Sequence, residues 1–404
     1  MTEGIGGTRL ELQRVWRAGS GGLYRVAREN RNRADHRRYR AGHISRIYLD
    51  HAATSPLRPE AQAAMEEGFR IWANPSSPHA EGRRARAALE DARQRIKAAL
   101  GWDGEVIFTS GASEAAQLAF DNADVIDEVA SAVEHDAIYN FVEHRGVGVV
   151  PVGSDGALDM RELDMAVVQG IVAGDLVENR ALVAVQHINS ETGNRQDIGM
   201  VAEVAHGHGA LLLVDCSQSA GKFEIPQLAD MAIISAHKFG GPIGVGALLV
   251  KHYGMLAPTG GHERGYRRGT ENLPGVLGMA AALEACTHPY VDPAVLAPVA
   301  RLADTVRAAG GCWLADRLSD PTPYIHALAM PNISGSAQLM RFDMAGFAVS
   351  QGSACSSGTM KRSHVLEAME LEEGLADRMI RLSVGWNTTA AELDAFVEAW
   401  RSLT

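Results

Sequence analysis

The sequence contains few lysines, few cysteines and no long apolar runs, and each of these features limits the structures and functions that the chain can have. Five lysines stand against 33 arginines, so a lysine at the end of a strand is conspicuous. The four cysteines are widely spaced and form no CxxC pair. This disfavours a disulfide framework or a zinc site and favours a reducing cytoplasm. No apolar run approaches the roughly 18 residues of a membrane-spanning helix, so we expect no membrane partner.

The charge balance argues against nucleic acid as a partner. The 404 residues carry a net charge of −11 at pH 7, whereas a phosphate backbone requires a basic face. Hydrophobic residues make up 46% of the chain and charged residues 22%, which is typical of a globular protein with a large core. The length predicts two to three domains.

Residues 1–46 differ from the rest of the chain in charge and in pattern. They contain eleven arginines, no lysine and four acidic residues, and they show no apolar periodicity. We expect residues 1–45 to form a basic, disordered extension outside the fold. The segment lacks the apolar stretch of a secretory signal, and Ser20 and Ser45 are too few serines for a transit peptide. A dispensable tail and a start codon assigned too far upstream remain as interpretations.

Short aliphatic runs alternate with helical stretches up to about residue 290. Helices are predicted at 58–72 and 81–100. Uninterrupted apolar runs between helices indicate strands buried on both faces, which predicts an α/β domain around a mostly parallel sheet. The shorter pattern beyond residue 290 predicts a smaller α+β domain. The predicted strands lie at 105–110, 125–134, 147–152, 181–188, 210–217, 231–238 and 245–250.

These patterns divide the chain into four predicted parts. The extension at 1–45 is followed by a segment at 46–58 that joins the small domain. Residues 59–290 form the large domain, and residues 291–404 form the small C-terminal domain with a loop around Cys355.

Polar residues follow several predicted strands, at the position where sheets of this kind bind ligands. The turn at 110–113, Ser-Gly-Ala-Ser, opens a helix and suits either a phosphate held by backbone N–H groups or a plain helix cap. His135 closes another strand and is compatible with a structural or a functional role. Asp215 ends the apolar run ALLLV. Because a buried carboxylate is costly without a cationic partner, a functional role is favoured for it.

Lys238 ends the strand MAIISAH and enters a glycine-rich turn. A lysine at this place is well positioned to form an imine, provided that desolvation or a cationic neighbour keeps its amine deprotonated. Asp215, Lys238 and the turn at 110–113 together meet the needs of pyridoxal 5′-phosphate. That cofactor requires a Schiff-base lysine, a partner for its pyridinium proton and a cradle for its phosphate.

Ten segments, taken in order along the chain, carry a family resemblance. They are YLDHAATSPL (48–57), NPSSPHAEGRRAR (74–86), FTSGASEA (108–115), VEHDAI (133–138), INSETGNRQDI (188–198), VDCSQSAGK (214–222), SAHKFGGPIGVGAL (235–248), GGHERGYRRGTEN (260–272), GSACSSG (352–358) and IRLSVG (380–385). With them the chain resembles the group I (NifS/IscS-type) cysteine desulfurases of the class V aminotransferase superfamily. GSACSSG points to group I, because group II enzymes carry their cysteine in a shorter loop. The resemblance implies the α/β fold of fold type I pyridoxal-phosphate-dependent transferases, with a mostly parallel mixed sheet flanked by helices and a smaller α+β domain.

The resemblance also implies a role for each matching residue. Lys238 carries the cofactor, Asp215 pairs with its pyridine nitrogen and Gln218 bonds its phenolic oxygen. His135 stacks on the ring and relays protons, and Arg381 grips the substrate carboxylate through charge-assisted bonds. The cofactor phosphate is bound by Ala112, Ser113, Ser235 and His237, joined in a homodimer by Thr270 of the partner subunit.

Cys355 is the predicted nucleophile. It lies in a run of small residues at 352–358, and such a loop can carry a thiol between a pocket and the surface. A cysteine kept for packing would be expected among aliphatic neighbours. The resemblance implies that L-cysteine is the substrate, that the Cys355 thiolate takes its sulfur as a persulfide, and that L-alanine is released. An acceptor protein would then take the sulfur for iron–sulfur cluster assembly or thiolation.

Three places depart from the family pattern and keep two other functions open. Ser190 replaces an asparagine near the cofactor, and it is still predicted to bind the cofactor. Residues 116–117 replace an asparagine pair, and Trp386 replaces an arginine. The alternatives are another pyridoxal-phosphate-dependent lyase or aminotransferase, and a weakly active regulatory partner in a sulfur-assembly complex. The intact lysine, aspartate and cysteine argue against the second alternative.

The sequence predicts no metal site and no Rossmann or P-loop site. The glycines at 240–246 do not form GxGxxG, and neither GxxxxGK[ST] nor HExxH occurs. His206 and His208 are predicted to lie at the end of a helix rather than to bind a metal.

Overall fold

Seven strands form a mixed sheet in the order β2-β8-β7-β6-β5-β3-β4. The computed structural model describes residues 46–172, 180–352 and 362–404. Within those ranges all seven strands fall inside predicted runs, and β8 alone runs against the other six. This mostly parallel sheet confirms the predicted fold class. The strands are β2 (Glu105–Thr109), β3 (Asp127–Ser131), β4 (Gly148–Val150), β5 (Ala181–Gln186), β6 (Leu211–Asp215), β7 (Met231–Ser235) and β8 (Gly246–Val250).

Helices cover both faces of this sheet, because successive strand side chains point to opposite faces. The helices of this part are α1 (Pro59–Arg70), α2 (Ala80–Leu100), α3 (Ala112–Asn122), α4 (Asp136–Arg145), α5 (Met160–Val172), α6 (Ile198–Gly207) and α7 (Leu273–Glu284). On one face Val183 and Leu212 share an apolar core with side chains of α2, α5, α6 and α7. On the other face Leu182 and Leu213 share a core with side chains of α3 and α4. Because both faces of the sheet are covered, a ligand can reach it at the ends of the strands.

The first two helices show how the sequence sets their ends. Proline fits the first turn of a helix, and α1 begins at Pro59. In α2, the Nδ1 atom of the N-cap residue His79 accepts the Gly82 N–H at 3.2 Å. The same helix ends at Gly101, whose φ of 62° is the left-handed conformation that glycine adopts without strain. Both helices agree with the predicted ranges.

The C-terminal part builds a second, antiparallel sheet in the order β12-β10-β9. The helices and strands of this C-terminal part pack around an apolar core that includes Phe342, Phe396 and Trp400. The strand β1 (Ile47–Tyr48) pairs in parallel with β11 (Phe347–Ala348), so the start of the fold lies against its C-terminal part. The remaining elements are α8 (Pro293–Ala308), β9 (Cys312–Trp313), β10 (Ile325–Ala329), α9 (Gly335–Met344), α10 (His364–Ala368), α11 (Glu373–Ala376), β12 (Met379–Ser383) and α12 (Ala390–Leu403).

The four-part division of the chain stays a prediction. Residues 47–404 cluster as one unit, and the predicted extension at 1–45 lies outside the described residues. None of the helices described is both long enough and apolar enough to cross a membrane.

Candidate active site

A cavity of about 450 Å³ lies at the carboxyl ends of β2, β5, β6 and β7. These strands run in the same direction, so the polar residues that follow them meet at one edge of the sheet. Most of the predicted site residues line this cavity. They are Ala112, Ser113, His135, Ser190, Asp215, Gln218, Ser235, His237 and Lys238.

Asp215 is the last residue of β6 and is only 6% exposed. Its Oδ1 atom accepts the backbone N–H of Ser217 at 2.8 Å. Within the described ranges no lysine or arginine forms an ion pair with this carboxylate, and the buried Ser217 hydroxyl has no hydrogen-bond partner. A buried carboxylate in this state is stabilised by a positive N–H group from the cavity side. The position therefore suits a protonated ring nitrogen.

Lys238 ends the short 3₁₀ turn Ala236–Lys238 that follows β7. Its Nζ atom donates to the carbonyl oxygens of Ala52 at 2.7 Å and Ala53 at 2.9 Å. These carbonyls belong to the segment after β1, and Ala53 also lines the cavity. Because β6 and β7 are neighbouring strands, the Lys238 amine and the Asp215 carboxylate border the same space.

The N-terminus of α3 borders the cavity and has no side-chain cap. Its N-cap residue is Gly111, and β8 packs tightly against that residue: a Cβ atom on Gly246 would lie 2.7 Å from the Gly111 Cα. The first N–H groups of a helix lack partners inside the helix, and the helix dipole is positive at this end. The turn therefore suits an anion such as a phosphate.

Ser235 and His237 lie beside this anion-binding turn. Ser235 is buried, and the Nδ1 atom of His237 lies 3.1 Å from the hydroxyl oxygen of Thr54. Burial, followed by the charge of Lys238, lowers the pKa of His237 to about 4. The imidazole is therefore neutral at pH 7, with one N–H to donate.

His135 is the N-cap residue of α4, and its Nδ1 atom accepts the Ala137 N–H at 3.1 Å. In the neutral ring this hydrogen bond places the proton on Nε2. Burial lowers the pKa of His135, so the ring borders the cavity in its neutral form. A neutral imidazole in a fixed orientation can stack on an aromatic ring and exchange a proton.

Arg381 lies on β12 with a side chain that is 4% exposed. Its Nη1 donates to the carbonyl oxygen of Ser190 at 2.8 Å, and Ser190 lines the cavity. Its Nη2 donates to Oδ1 of Asp50 at 2.8 Å. Among the residues described, nothing accepts from its buried Nε–H. A carboxylate ligand would satisfy this donor.

Sequence reasoning missed two charged residues that hold predicted site residues. Asp50 pairs with Arg381, and Lys222 donates from Nζ to Oε1 of Gln218 at 3.1 Å. The second contact has a local signal, because Lys222 follows Gln218 by four residues in a chain with few lysines. The first contact has none, because its partners are 331 residues apart.

Arg381 and Thr270 are not among the residues that line the cavity: Arg381 contacts its wall through the Ser190 carbonyl, and Thr270 is exposed. The predicted nucleophile Cys355 lies outside the described residues. Burial raises the pKa of Cys216, Cys286 and Cys312, which disfavours the reactive thiolate form of each.

His206 and His208, which were predicted not to bind a metal, each contact a different carboxylate. The Nε2 atom of His206 lies 3.0 Å from Oδ2 of Asp230, and that of His208 lies 2.7 Å from Oδ1 of Asp164. No group of three or more potential metal ligands occurs in the part of the chain that the structure describes.

Comparisons with known proteins agree with this geometry. Residues 47–396 match the family described as aminotransferase class-V. A cysteine desulfurase of Cereibacter sphaeroides is 37% identical over 376 residues, which cover 88% of this chain and 95% of that protein. The NifS-like protein from Rickettsia africae superposes with a TM-score of 0.78 at 28% identity, covering 89% of this chain and 99% of that chain. SspA in complex with cysteine gives a TM-score of 0.70 at 27% identity, covering 84% and 99% of the two chains.

The central sheet, its two helical layers and the cavity at its strand ends are those of a fold type I pyridoxal-phosphate-dependent enzyme. The similarity runs through nearly all of the folded chain and through nearly the full length of its relatives. The chain belongs to the class-V aminotransferase family, among its cysteine desulfurases.

Proposed function

We propose that this protein is a cysteine desulfurase that converts L-cysteine to L-alanine and captures the sulfur as a persulfide on Cys355. The supporting observation is the placement of Asp215 and Lys238 at adjacent strand ends around one cavity. Relatives that this chain matches over most of their length are named cysteine desulfurases. The pairing of a buried carboxylate with a lysine is the chemistry that pyridoxal 5′-phosphate requires.

The cavity residues fit pyridoxal 5′-phosphate. Lys238 would bond its aldehyde carbon, and Asp215 would hold the proton on its pyridine nitrogen. Gln218 would donate to the phenolic oxygen, and the ring of His135 would stack on the cofactor ring. The phosphate would bind at the N-terminus of α3, to Ala112, Ser113, Ser235 and His237. Ser190, which lines the same cavity, is the further residue proposed to bind the cofactor. When bound, the cofactor withdraws electrons from the substrate carbons and so makes the carbon–sulfur bond cleavable.

Arg381 would bind the carboxylate of L-cysteine. Its buried Nε–H has no acceptor within the described ranges, so an added carboxylate oxygen removes an unsatisfied donor. Ser190 and Asp50 already hold two other nitrogens of the guanidinium, which fixes its plane. SspA, one of the similar structures, was solved with cysteine bound.

The sulfur would pass to Cys355 in a balanced exchange. The thiolate attacks the substrate sulfur, so that a sulfur–sulfur bond forms as the carbon–sulfur bond breaks. The electron pair of the broken bond stays with the carbon skeleton of the substrate, which takes up protons and leaves as L-alanine. Cys355 keeps the sulfur as a persulfide. His135 and Lys238 are the groups at the cavity that can hold and move those protons.

Further parts of the proposal concern partners and place in the cell. Thr270 is exposed, which leaves it free to complete the phosphate site of a second copy in a homodimer. The persulfide would pass to a sulfur-acceptor protein, for iron–sulfur cluster assembly or thiolation, in the cytoplasm. The small C-terminal domain at 291–404 would carry the cysteine loop.

The test measures L-alanine and sulfide released from L-cysteine with a reductant present. Wild type and Cys355→Ser are compared at equal cofactor content. We expect equal yields of both products from wild type and neither from the variant. Pyruvate instead of L-alanine, or turnover that survives Cys355→Ser, would overturn the persulfide role and favour another lyase. A wild type that binds the cofactor but gives no product, even with an acceptor protein added, would favour a regulatory partner.

A further inference from the structure

Lys222 is a buried lysine that the chemistry proposed above does not use. It is 4% exposed and lies in the turn that follows β6. No carboxylate of the described residues forms an ion pair with Lys222. Its neighbours Lys238 and Arg381 are themselves basic and repel a positive charge on its amine. Burial, followed by the charge of Lys238, lowers the pKa of Lys222 to about 7. Burying an amine in such surroundings is costly, so the contact that it makes there requires an explanation.

The head group of Lys222 has one hydrogen-bond acceptor in the described part of the chain. Its Nζ donates to Oε1 of Gln218 at 3.1 Å. Near it also lie the ring of Tyr290, whose centroid is 5.8 Å from Nζ, and the Cys286 thiol. The amine is therefore directed at the Gln218 amide and through it at the wall of the cavity.

This contact decides which edge of the Gln218 amide faces which partner. The Lys222 amine donates to this amide, so the amide oxygen faces Lys222. The amide nitrogen then faces the carbonyl oxygen of Ala52, to which it donates at 2.8 Å. That carbonyl also accepts from Lys238, so Gln218 and Lys238 share one acceptor. The reversed amide would place donor against donor at Lys222 and oxygen against oxygen at Ala52.

The fixed amide leaves one N–H for a ligand in the cavity. An NH₂ group carries two hydrogens, and Ala52 takes one of them. Gln218 lines the cavity, so the second hydrogen is available to an acceptor oxygen there. The phenolic oxygen of pyridoxal 5′-phosphate is such an acceptor, whereas an amide oxygen in the same place would repel it.

We propose that Lys222 is a positioning residue for the cofactor: by holding the oxygen of Gln218, it keeps the amide N–H directed at the phenolic oxygen. The inference rests on the cofactor site of the proposed function but not on the fate of the substrate sulfur. Lys222 itself touches neither cofactor nor substrate in this scheme.

A double-mutant cycle tests this in the absence of substrate. The dissociation constant of pyridoxal 5′-phosphate and its visible absorption spectrum are measured for wild type, Lys222→Met, Gln218→Leu and the double variant. Lys222→Met should weaken binding roughly tenfold and shift the absorption maximum, because one of the two hydrogen bonds that orient the amide is then lost. In the Gln218→Leu background the same substitution should change neither quantity.

Two further variants separate positioning from other effects. Lys222→Gln keeps an N–H donor without the charge, so it should bind the cofactor more tightly than Lys222→Met. Lys97→Met removes a lysine from α2, away from the cavity, and should match wild type. Equal effects of Lys222→Met in both backgrounds, or wild-type binding and spectrum in Lys222→Met, would overturn the proposal. Because no substrate is present, these outcomes are independent of whether L-cysteine is desulfurated.

Discussion

Arg381 and Asp50 form a partly buried ion pair, with Nη2 of the arginine 2.8 Å from Oδ1 of the aspartate. The side chain of Asp50 is 20% exposed and that of Arg381 is 4% exposed. Asp50 occupies one nitrogen of the guanidinium and leaves Nε–H without an acceptor in the described ranges. The pair therefore orients the arginine without using all of its donors.

Replacing Asp50 should weaken substrate binding more than it slows the chemical step. In Asp50→Ala the Ser190 carbonyl would be the one remaining acceptor for the guanidinium among the described residues, so the KM for L-cysteine should rise roughly tenfold with little change in kcat. Asp50→Asn keeps an oxygen acceptor and should raise KM less. Steady-state kinetics measure both values, and the exposed residue Asp124, replaced by Asn, provides a control. An unchanged KM in Asp50→Ala would mean that Asp50 does not orient Arg381.

Removing one partner of the buried ion pair between Arg93 and Glu263 should destabilise the fold. Both side chains are almost fully buried, and two contacts of 2.9 and 3.1 Å join them. Glu263 also accepts the Phe108 N–H at 2.8 Å. Glu263→Ala leaves the buried Arg93 guanidinium with the partly exposed Glu90 as its remaining ionic partner among the described residues, and should lower the free energy of unfolding by about 3 kcal/mol.

Denaturant unfolding followed by circular dichroism measures that loss. The double variant Arg93→Met/Glu263→Leu should lose less than Glu263→Ala, because neither charge is left alone. Asp394→Asn breaks an exposed ion pair with Arg301 and should leave the midpoint nearly unchanged. If Glu263→Ala unfolds at the wild-type midpoint, the pair does not stabilise the fold.

The free energy of unfolding should decrease as the pH is lowered, over a pH range that is set in part by the buried His326. Burial lowers the pKa of this histidine to about 4, against a value of about 6.5 in an unfolded chain. Between these values the unfolded state binds more protons, so the free energy of unfolding falls as the pH falls. One such histidine contributes up to about 1.4 kcal/mol per pH unit inside the window and nothing above it.

His326→Phe should reduce this slope while preserving the contact with the Trp313 ring. Unfolding curves at pH 8 give the part of the effect that does not depend on titration. Curves between pH 6 and pH 5 then give the slope. If the variant and wild type lose stability in parallel over that range, His326 binds protons equally in both states.

Gly246 should be required for cofactor binding although it does not line the cavity. A Cβ atom there would lie 2.7 Å from the Gly111 Cα and 2.7 Å from the Ile234 carbonyl oxygen. Because both contacts involve backbone, Gly246→Ala should move the turn at the N-terminus of α3 and weaken cofactor binding roughly tenfold or more. Equilibrium dialysis measures the affinity. Gly374→Ala, where a Cβ meets nothing within 4 Å, is the matched control, and equal affinities in the two variants would contradict the prediction.

The strands and the cavity-lining polar residues were predictable because their signals are local. A run such as ALLLV shows both its burial and the position where it ends, so the sequence alone places Asp215 at a strand end. In the same way, Lys238 and the turn at 110–113 follow recognisable apolar runs. Parallel strands bring such residues together without further information.

The residues that sequence reasoning missed depend on contacts over long sequence distances. Asp50 meets Arg381, and Arg93 meets Glu263, only after the sheet and helices have packed. No spacing links either pair in the sequence. The direction of β8, which runs against the other six strands of its sheet, was also unpredictable, because an apolar run has no direction. Lys222 lay inside a recognised segment, but its burial is a property of the folded chain.

The carbonyls of Ala52 and Ala53, which hold Lys238, impose an order on biosynthesis. They follow β1, which pairs with β11, and Ala52 donates its N–H to the Ser383 hydroxyl. Ala52 and Ser383 are 331 residues apart in the sequence, so this wall of the cavity can form only after the ribosome has made the chain past Ser383. Cofactor loading therefore has to follow the synthesis of both parts of the fold.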